Sequence, residues 1–556
     1  ELKIWEMNNQ ELKDSVKNSL IENEDVKELL YDIVGFYRRE NNLTWREHFE
    51  RQIKDHDELM DDPECIGNLK LKKTYNKEDE NGTLMEYEYQ DQEFKRKIDD
   101  KVVLVNNLDD NGKSIKAGKI ENIDYTKNLV TINTVNENLP DIISLSRLDI
   151  FSPDKLENST EIFIESYINN DKKYSATKDI LQKNYPNING IKQGEKIVSS
   201  IDFKSITEAI SKLNNSYLYV QGPPGSGKTT YSANTIVELL KKRKKIFVLG
   251  NSHEVINNLL RKVEIVAIEQ NIEFEGFKVS SKKDYKLNGT IIEDVQNDRK
   301  IIDCLDKIDE GEISLGCIVG GTKYLFSSFD EQADFIFIDE AGQLSIADLI
   351  SIGRSSKNII LIGDQNQVAS PLRAEHPGHS GISILDHLLE GLDTIPENRG
   401  IFLNKTFRMN ENINNFISQN FYDGRLNCDD VAKNRLINLD NSLITSQGIN
   451  YIQMNHFNNV QTSKEEFVAI SNILENMIGL EFIDNGNKRK LELEDFLVIS
   501  PFNTQVNFLK SSLANQGMSD LKVGTIDKFQ GQEAPVVIIS MASSDSNAIP
   551  RNKEFK

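Results

Sequence analysis

Apolar positions in the first 65 residues recur with the period of an α-helix. These positions include Leu20, Ile21, Val26, Leu29, Leu30, Ile33, Val34 and Tyr37, and the pattern continues through Trp45 and Phe49. The charged stretch 72–100 has no such period, which predicts a loop or an exposed hairpin. Apolar and polar residues then alternate in three short segments, 101–105, 118–123 and 129–133. This alternation predicts a small antiparallel β domain.

From about residue 201 the pattern changes to short apolar runs separated by helical stretches. The runs are 217–220, 245–250, 317–321, 335–340, 358–364, 496–500, 522–526 and 536–541. Strands that are apolar on both faces are typical of parallel sheets covered by helices. The sequence therefore predicts an α/β protein with two successive parallel sheets.

These patterns divide the chain into five predicted segments. They are a helical accessory region with a charged loop (1–95), a small barrel-like antiparallel β domain (96–155), a helix and linker (156–200), a first α/β domain (201–395) and a second (396–556).

Composition and charge narrow the classes of protein that fit. Of 556 residues, 38% are hydrophobic and 28% charged, and no apolar run approaches the ~20 residues of a membrane-spanning helix. The four cysteines are scattered, which indicates neither a disulfide framework nor a metal cluster and favours a reducing cytoplasm. The net charge of −22 argues against binding nucleic acid by bulk attraction. It leaves open a protein that binds one strand in a local channel.

The segment GPPGSGKT has the spacing of a phosphate-binding loop and follows the predicted strand 217–220. Such loops expose backbone N–H groups to phosphates, and a lysine reaches the β- and γ-phosphates. The predicted nucleotide-binding residues are Gly222, Pro223, Pro224, Gly225, Ser226, Gly227, Lys228, Thr229 and Thr230. Thr229 is a predicted Mg²⁺ ligand, and a chance glycine-rich turn is the alternative.

Asp339 and Glu340 end the apolar run 335–340, where open α/β sheets bind their ligands. We expect Asp339 to hold Mg²⁺, directly or through water, and Glu340 to orient and deprotonate the attacking water.

Five motifs occur in a fixed order: GPPGSGKT, DEAGQ (339–343), GDQNQ (363–367), TFRM (406–409) and VGTIDKFQGQE (523–533). Together they resemble the superfamily-one helicases of the nonsense-mediated-decay and nuclease–helicase type. NSHEVINNLL (251–260) is most similar to bacterial members that often carry a RecB-like nuclease.

The resemblance implies two tandem RecA-like domains that bind ATP and Mg²⁺ between them. It implies that Gln343 and Gln367 sense the γ-phosphate, that Arg408 reaches it from the second domain, and that Gly531 and Glu533 line the same cleft. An ordinary surface ion pair for Arg408 and a turn cap for Gln367 are the alternatives.

The resemblance also implies residues that contact single-stranded DNA or RNA. They are Ser252, His253, Gly321, Thr322, Pro501, Phe502, Gln505, Thr525 and Phe529. Phe502 and Phe529 are candidates for base stacking, with a place in the core as the alternative. The basic run 241–245 fits a solvated turn better than a nucleic-acid patch.

The chain departs from the family pattern in two places. The glutamine-bearing adenine motif is not recognisable in 199–216, and the family's last arginine motif does not occur before Lys556. We therefore expect a C-terminally truncated chain that binds nucleotide and hydrolyses it slowly. The sequence predicts an ATP-dependent helicase or translocase, with 5′ to 3′ movement implied by the resemblance. The alternatives are an ATP-gated single-strand clamp and the motor part of a nuclease–helicase system.

Overall fold

The computed structural model describes residues 2–76, 82–90, 92, 94–109, 114–124, 127–136, 139–147, 152–280, 285–367, 372–439, 444–529 and 532–544. The chain is mixed α/β and divides into two compact units. One unit comprises residues 1–169 and 371–381, and the other comprises 170–370 and 382–556. Within the described residues, none of the helices is both long enough and apolar enough to cross a bilayer.

Helices begin and end the continuous part of the first unit. They are α1 Leu2–Asn18, α2 Glu24–Ile33, α3 Phe36–Gln52 and α4 Asp154–Ile168. The side chain of Asn23 caps α2 by accepting a hydrogen bond from the N–H of Val26 at 3.2 Å. Val26, Leu29 and Ile33 are buried on one face of α2, as the apolar period predicts.

Residues 372–381 are part of this first unit although they come much later in the chain. The His376 ring stacks on Phe36 with centroids 3.9 Å apart, and its Nε2 lies 2.8 Å from a carboxylate oxygen of Glu40. Glu40 also accepts a hydrogen bond from the N–H of Ala374 at 3.1 Å. His376 therefore packs on Phe36 and hydrogen-bonds to Glu40 within the first unit.

A closed six-stranded antiparallel barrel follows α3. Its strands are β1 Cys65–Asn76, β2 Thr83–Glu88, β3 Lys101–Leu108, β4 Ser114–Asp124, β5 Leu129–Thr134 and β6 Ile142–Ser146, in the order β1-β2-β5-β4-β3-β6. Gly118 has φ +125°, and a Cβ there would lie 2.2 Å from the carbonyl oxygen of Asn133. The close approach of β4 to β5 at this point therefore requires glycine.

The barrel begins at Cys65, ahead of the boundary predicted at residue 96. The charged stretch that the sequence favoured as a loop or hairpin supplies the end of β1 and all of β2, which pair antiparallel. Lys72 in β1 forms a 2.7 Å ion pair with Glu88 in β2, and both side chains are half exposed. Charged residues on the outer face mask the apolar alternation, and this explains the misplaced boundary.

An eight-stranded sheet dominates the second unit. Its strands are β7 Tyr217–Gln221, β8 Lys245–Leu249, β9 Glu275–Val279, β10 Glu293–Val295, β11 Cys317–Gly321, β12 Ala333–Ile338, β13 Ser356–Gly363 and β14 Gly400–Phe402. They are all parallel and run in the order β10-β9-β11-β8-β12-β13-β7-β14. The associated helices are α5 Ser175–Leu181, α6 Phe203–Ser211, α7 Lys228–Lys241, α8 His253–Glu269, α9 Arg299–Glu310, α10 Lys323–Phe326, α11 Ile346–Ile352 and α12 Ile384–Leu389.

The five apolar runs predicted before residue 365 are confirmed as β7, β8, β11, β12 and β13. The short strands β9 and β10 were not predicted. β14 pairs with β7, so the first sheet extends past the boundary predicted at residue 395. An edge strand of three residues is too short to show a period, and only its pairing identifies it.

The rest of the second unit contains smaller sheets. Its strands are β15 Lys405–Thr406, β16 Asn427–Cys428, β17 Leu436–Ile437, β18 Glu481–Asp484, β19 Asn487–Lys490, β20 Phe496–Ile499, β21 Lys522–Gly524 and β22 Val536–Ile539. Its helices are α13 Glu411–Phe421, α14 Asp430–Lys433, α15 Lys464–Met477, α16 Asn503–Asn515 and α17 Ile526–Phe529. The predicted runs after residue 495 are confirmed as β20, β21 and β22, which form a parallel sheet ordered β21-β20-β22.

Candidate functional site

Three neighbouring strands of the large sheet end in polar or phosphate-binding residues, and the residues after two of these strands, β7 and β12, were predicted to bind nucleotide or Mg²⁺. β7 is followed by the loop 222–229, β12 by Asp339 and Glu340, and β13 by Asp364. In the sheet β12 pairs with β13 and β13 pairs with β7. Because parallel strands present their carboxyl ends at one edge, these residues meet in one place.

The phosphate-binding loop is tightly folded on itself. Lys228 Nζ donates a hydrogen bond to the carbonyl of Gly222 at 2.8 Å, and the N–H of Gly222 donates to the carbonyl of Gly363 at 2.9 Å. A Cβ at Gly222 would lie 2.2 Å from Lys228 Cγ, so only glycine leaves room for the lysine stem. Gly227, with φ +81°, caps the 14-residue helix α7, whose first residues are Lys228 and Thr229.

The loop has an unused polar atom of the kind that a phosphate would engage. Ser226 is 2% exposed, and its buried hydroxyl has no hydrogen-bond partner among the described residues. A buried hydroxyl without a partner costs free energy unless a ligand or water satisfies it. Together with the N-terminus of α7, it fits an anionic ligand.

Asp339 is a carboxyl group in an interior position. It is 7% exposed, and burial raises its pKa to about 7, with a further rise from Glu340 and an opposing effect of Lys228. The backbone N–H of Glu340 donates a hydrogen bond to Asp339 Oδ1 at 3.0 Å. Because a buried carboxylate is stabilised by a cation, Asp339 fits a divalent metal ligand.

A second buried acid, Asp364, lies at the end of β13. It is 2% exposed, and burial raises its pKa, while hydrogen bonding from Tyr422 and the charge of Lys228 lower it. The hydroxyl of Tyr422 donates to Asp364 Oδ2 at 2.5 Å. The N–H of Gln367 donates to the carbonyl of Asp364 at 3.2 Å, so Gln367 is part of this same corner.

The segment that leads away from the large sheet returns to the phosphate-binding loop. The N–H of Phe407 donates to the carbonyl of Gly225 at 2.8 Å, and Thr406 Oγ1 donates to the carbonyl of Pro224 at 2.9 Å. A Cβ at Gly225 would lie 2.3 Å from Arg408 Cβ. The predicted arginine is therefore beside the loop.

Other predicted site residues lie around this arrangement. Arg408 forms an ion pair with Glu533, and both side chains are exposed. Gln343 accepts a hydrogen bond from Asn251 Nδ2 at 3.2 Å. The predicted residue Gly531 lies outside the described residues.

The residues of the first domain that were predicted to contact a nucleic-acid strand lie at the ends of two adjacent β-strands. Ser252 and His253 come after β8, Gly321 ends β11, and Thr322 follows it, and β11 pairs with β8. The hydroxyl of Ser252 accepts a hydrogen bond from the N–H of Val255 at 3.2 Å and so caps α8. These four residues therefore lie together at the carboxyl edge of the sheet.

His253 has an unexpected partner. The ammonium of Lys278, a residue that is 0% exposed, lies 2.8 Å from His253 Nδ1 and also donates to the carbonyl of Val279 at 2.8 Å. The His253 ring stacks on Tyr285 at 4.4 Å. Burial lowers the pKa of His253 to about 4, with Lys278 adding to the effect, and burial lowers the pKa of Lys278 to about 8.

Comparisons with known protein families match two segments of the chain. Residues 206–373 match one family described as an AAA domain, and residues 382–553 match a second family with the same description. The two matches together cover more than half of the chain. The chain belongs to the superfamily-one helicases of the nonsense-mediated-decay and nuclease–helicase type.

Several curated helicases are similar to this chain in sequence. The chain is 25% identical over 411 residues to the DNA polymerase alpha-associated DNA helicase A of Schizosaccharomyces pombe, covering 64% of this chain and 60% of that protein. It is 25% identical over 359 residues to the ATP-dependent helicase NAM7 of Saccharomyces cerevisiae, covering 58% and 36%. It is 23% identical over 352 residues to the DNA replication ATP-dependent helicase/nuclease dna2 of Schizosaccharomyces pombe, covering 59% and 24%. The chain thus spans less than two thirds of the length of these relatives.

Among solved structures, the arterivirus nonstructural protein 10 helicase is similar at a TM-score of 0.32. The sequences are 12% identical, and the match covers 91% of this chain and 75% of the viral one.

Four residues that were predicted to contact a nucleic-acid strand are buried, Gly321 at the end of β11 and three residues of the second domain. Phe502 is 8%, Gln505 0% and Phe529 7% exposed. The amide of Gln505 donates to Ser540 Oγ at 2.9 Å and accepts from the N–H of Ser463 at 2.9 Å. The structure therefore contradicts strand contact for Gln505 and favours the core alternative for the two phenylalanines. Pro501 and Thr525 are partly exposed.

The basic run 241–245 comprises the end of α7, a turn whose residues Lys242 and Arg243 are exposed, and the start of β8. Lys241 pairs with Glu238 at 2.6 Å and Lys245 with Asp309 at 2.8 Å. These ion pairs agree with the turn interpretation of the sequence.

Sequence reasoning missed several residues near the site. Asp364 ends a buried strand as Asp339 does, and that position was the available signal. The rings of Tyr231 and Phe407 both lie close to Gly227, and Phe407 is 40% exposed, which offers a flat apolar surface beside the phosphate-binding loop. Lys278 and Tyr422 lie far from their partners in the sequence, so no local pattern reveals them.

Proposed function

We propose that this chain binds ATP with Mg²⁺, hydrolyses it, and uses the energy to move along single-stranded DNA or RNA as a helicase. The observation that carries the proposal is the convergence of Lys228, Asp339 and the Phe407–Arg408 segment on one loop. Family membership supports the same reading. In this proposal the chain contains two RecA-like domains, and the second includes the Phe407–Arg408 segment.

The phosphates would bind to the N–H groups and side chains of residues 222–230, with Lys228 exchanging the Gly222 carbonyl for phosphate oxygens. Thr229 and Asp339 would hold the Mg²⁺ ion. When bound, this ion neutralises part of the negative charge of the phosphates. The raised pKa of Asp339 supports this role because a cation is what stabilises a carboxylate in the interior.

Glu340 would orient the attacking water and accept its proton. Its backbone is in the left-handed region, with φ 52°, directly after the buried Asp339. A left-handed backbone at a residue other than glycine is strained, and such strain is concentrated at active sites.

Gln343 and Gln367 would sense the γ-phosphate and Arg408 would reach it from the second domain, with Glu533 lining the same cleft. The Arg408–Glu533 ion pair is exposed, so its exchange for a phosphate costs little. The resulting donor from the second domain would stabilise the developing phosphoryl charge and make hydrolysis depend on closure.

The strand would lie against Ser252, His253, Gly321 and Thr322, with Pro501 and Thr525 from the second domain. These residues are small or carry donors, which suits contacts to phosphates. By family resemblance the movement would run 5′ to 3′, and a linked nuclease is a fitting partner because a curated relative is named a helicase/nuclease. The four cysteines are free thiols, which suits a reducing cytoplasm.

The test is a tailed-duplex unwinding assay with ATPase measured in parallel, on DNA and RNA substrates with 5′ or 3′ tails. We expect unwinding by the unmodified chain and its loss in Glu340→Gln, which keeps nucleotide affinity. Lys242→Ala, an exposed change in the 241–245 turn, is the matched control and is expected to leave activity unchanged.

Two outcomes would contradict the proposal in different ways. Strand affinity that rises with ATP, without any unwinding, would identify a nucleotide-gated clamp. An unchanged nucleotide affinity in Lys228→Ala would show that the phosphate-binding loop is not the nucleotide site.

A further inference from the structure

Lys278 places an ammonium group in the interior of the second unit. It lies near the carboxyl end of β9 and is 0% exposed. Within the described part of the chain no carboxylate forms an ion pair with it. Asp294, the acid whose charge acts on Lys278, already accepts hydrogen bonds from the N–H groups of Leu287 and Asn288 at 2.9 and 2.8 Å. Because an unpaired buried charge costs free energy, the position of Lys278 has to be explained by what its ammonium contacts.

The lysine reaches His253 by crossing a neighbouring strand. In the sheet β9 pairs with β11 and β11 pairs with β8, and Gly320 of β11 is opposite Lys278. A Cβ at Gly320 would lie 3.2 Å from Lys278 Cδ and 2.5 Å from Leu260 Cδ1. Glycine at this position therefore leaves the space along which the lysine stem runs from β9 to His253, the first residue of α8.

The contact between the two side chains fixes which ring nitrogen carries the proton. An ammonium group donates hydrogen bonds and has no lone pair with which to accept one. In the 2.8 Å contact with Lys278, His253 Nδ1 is therefore the acceptor, and a neutral ring that accepts at Nδ1 is protonated at Nε2. Burial, with the charge of Lys278 adding to it, holds the pKa of His253 at about 4, so the ring is neutral at pH 7. Burial lowers the pKa of Lys278 to about 8, which leaves it mainly protonated at pH 7.

Tyr285 fixes the plane of the same ring. The two rings stack with centroids 4.4 Å apart and an interplanar angle of 18°. The stack sets the tilt of the imidazole, and the hydrogen bond from Lys278 sets its rotation, so the direction of Nε2–H is also set. Because Nδ1 faces the interior lysine, Nε2 is the nitrogen left for a partner outside the protein. His253 is partly exposed and follows the α8 cap Ser252 at the carboxyl edge of the sheet.

We propose that Lys278 is a positioning residue that holds His253 as its neutral Nε2–H tautomer, so that His253 meets a phosphate of the single strand as an uncharged hydrogen-bond donor. The inference rests on the proposed helicase function, in which His253 lies against the strand. An uncharged donor adds a directed hydrogen bond to a phosphate but releases no counterion. His253 therefore contributes to strand affinity and leaves the salt dependence of that affinity unchanged.

The first test is a two-bond ¹H–¹⁵N correlation of the histidine rings at pH 7, which distinguishes the two tautomers. The His253 signals are identified by their absence in His253→Ala. We expect the Nε2–H form in the unmodified chain and a mixture of both tautomers in Lys278→Met, which removes the donor and keeps an unbranched side chain. The control is Lys245→Met, which removes the same charge at the start of β8, at the opposite edge of the sheet, and should leave the His253 tautomer unchanged. A mixture already present in the unmodified chain, or a tautomer that Lys278→Met does not change, would overturn the proposal.

The second test is the affinity of a fluorescein-labelled oligothymidylate, measured by anisotropy at pH 7 between ~50 and ~200 mM salt. We expect His253→Ala to lower the affinity by about two- to tenfold, the loss of one neutral hydrogen bond. The slope of log K against log salt should stay the same, whereas loss of a cationic contact would reduce it by ~0.7. Lys278→Met should also lower the affinity, and the double variant should bind like His253→Ala because the lysine acts only through the ring.

The outcomes separate this inference from the helicase proposal. A slope reduced by ~0.7 in His253→Ala, an affinity that His253→Ala leaves unchanged, or a further loss in the double variant would overturn the role of Lys278 and leave the helicase proposal intact. Failure of the unmodified chain to bind any strand would overturn the helicase proposal itself. Because Lys278→Met removes a buried charge, the variant is expected to unfold at no lower temperature than the unmodified chain, so its loss of affinity reports on the ring.

Discussion

The hydroxyl of Tyr422 donates a 2.5 Å hydrogen bond to the buried carboxyl group of Asp364. Asp364 follows β13 at the edge that carries the phosphate-binding loop, and Tyr422 terminates α13, the helix after the Arg408 segment. The bond therefore ties the end of the large sheet to the first helix after the arginine. The charge of Lys228 lowers the pKa of Asp364, so the protonation of this carboxyl group depends on the phosphate-binding loop.

We expect Tyr422→Phe to destabilise the protein by about 1–3 kcal/mol, because it leaves a buried carboxyl oxygen without its donor. Loss of the donor also raises the pKa of Asp364 further. The measurement is the free energy of unfolding by urea, together with nucleotide-dependent turnover. Tyr451→Phe is the control, since Tyr451 is 88% exposed. Equal stability of the two variants would show that the Tyr422 bond contributes nothing.

Lys228→Ala should reduce nucleotide affinity by about ten- to a hundredfold, the loss expected for a hydrogen bond to a charged group. It should also raise the pKa of Asp339, whose ionised form Lys228 favours. Isothermal titration calorimetry with a non-hydrolysable analogue measures the first effect. Lys242→Ala serves as the control, and an affinity loss of equal size there would indicate a general charge effect.

The stability of the metal-free protein should depend on the state of Asp339. Its folded pKa of about 7 is above the ordinary value of 3.8, so the folded state binds the proton more tightly. The stability from this group is complete below about pH 4 and is lost as the pH rises to 7. Asp339→Asn should therefore stabilise the metal-free protein at pH 8, by at most about 4 kcal/mol at ~1.4 kcal/mol per pH unit.

Thermal unfolding at pH 5 and pH 8 measures this effect, with and without Mg²⁺ and nucleotide. We expect Mg²⁺ with nucleotide to raise the melting temperature of the unmodified chain at pH 8 and to have little effect on Asp339→Asn. A melting temperature that is equally sensitive to the ligands in both proteins would exclude Asp339 as a metal ligand.

Lys278→Met should change the titration of His253. Burial is the main reason that the pKa of His253 is low, and the charge of Lys278 adds to it, so the variant should raise this pKa part of the way towards 6.5. Because the folded pKa of Lys278 is about 8, below its ordinary 10.5, its burial costs stability that is recovered as the pH rises through that range. The variant should therefore be more stable than the unmodified chain at pH 7, with a smaller difference at pH 10.

Histidine NMR titration and thermal unfolding at the two pH values provide the measurements. Lys245→Met, which removes a lysine at the start of β8 that pairs with Asp309 of α9, is the control. An unchanged His253 titration in Lys278→Met would mean that the 2.8 Å contact has no electrostatic effect on the ring.

The sequence by itself determined the features that depend on local period and spacing. Wholly apolar runs identified β7, β8, β11, β12 and β13 and their parallel arrangement, because burial on both faces leaves no polar alternation. The spacing of 222–229 identified the phosphate-binding loop because its glycines and its lysine occupy fixed places in a turn that few other residues allow. The position of Asp339 at a strand end followed from the same reasoning.

Only the tertiary structure decided which distant residues meet. The barrel includes β1 and β2 because strand pairing, not apolar alternation, defines them. Gln505 is buried because Ser463 and Ser540 satisfy its amide, and a motif cannot show whether a polar side chain faces inward. The contacts of Tyr422 with Asp364 and of Lys278 with His253 join positions 58 and 25 residues apart. Such contacts depend on how whole elements pack, and that packing is a property of the complete fold rather than of any segment.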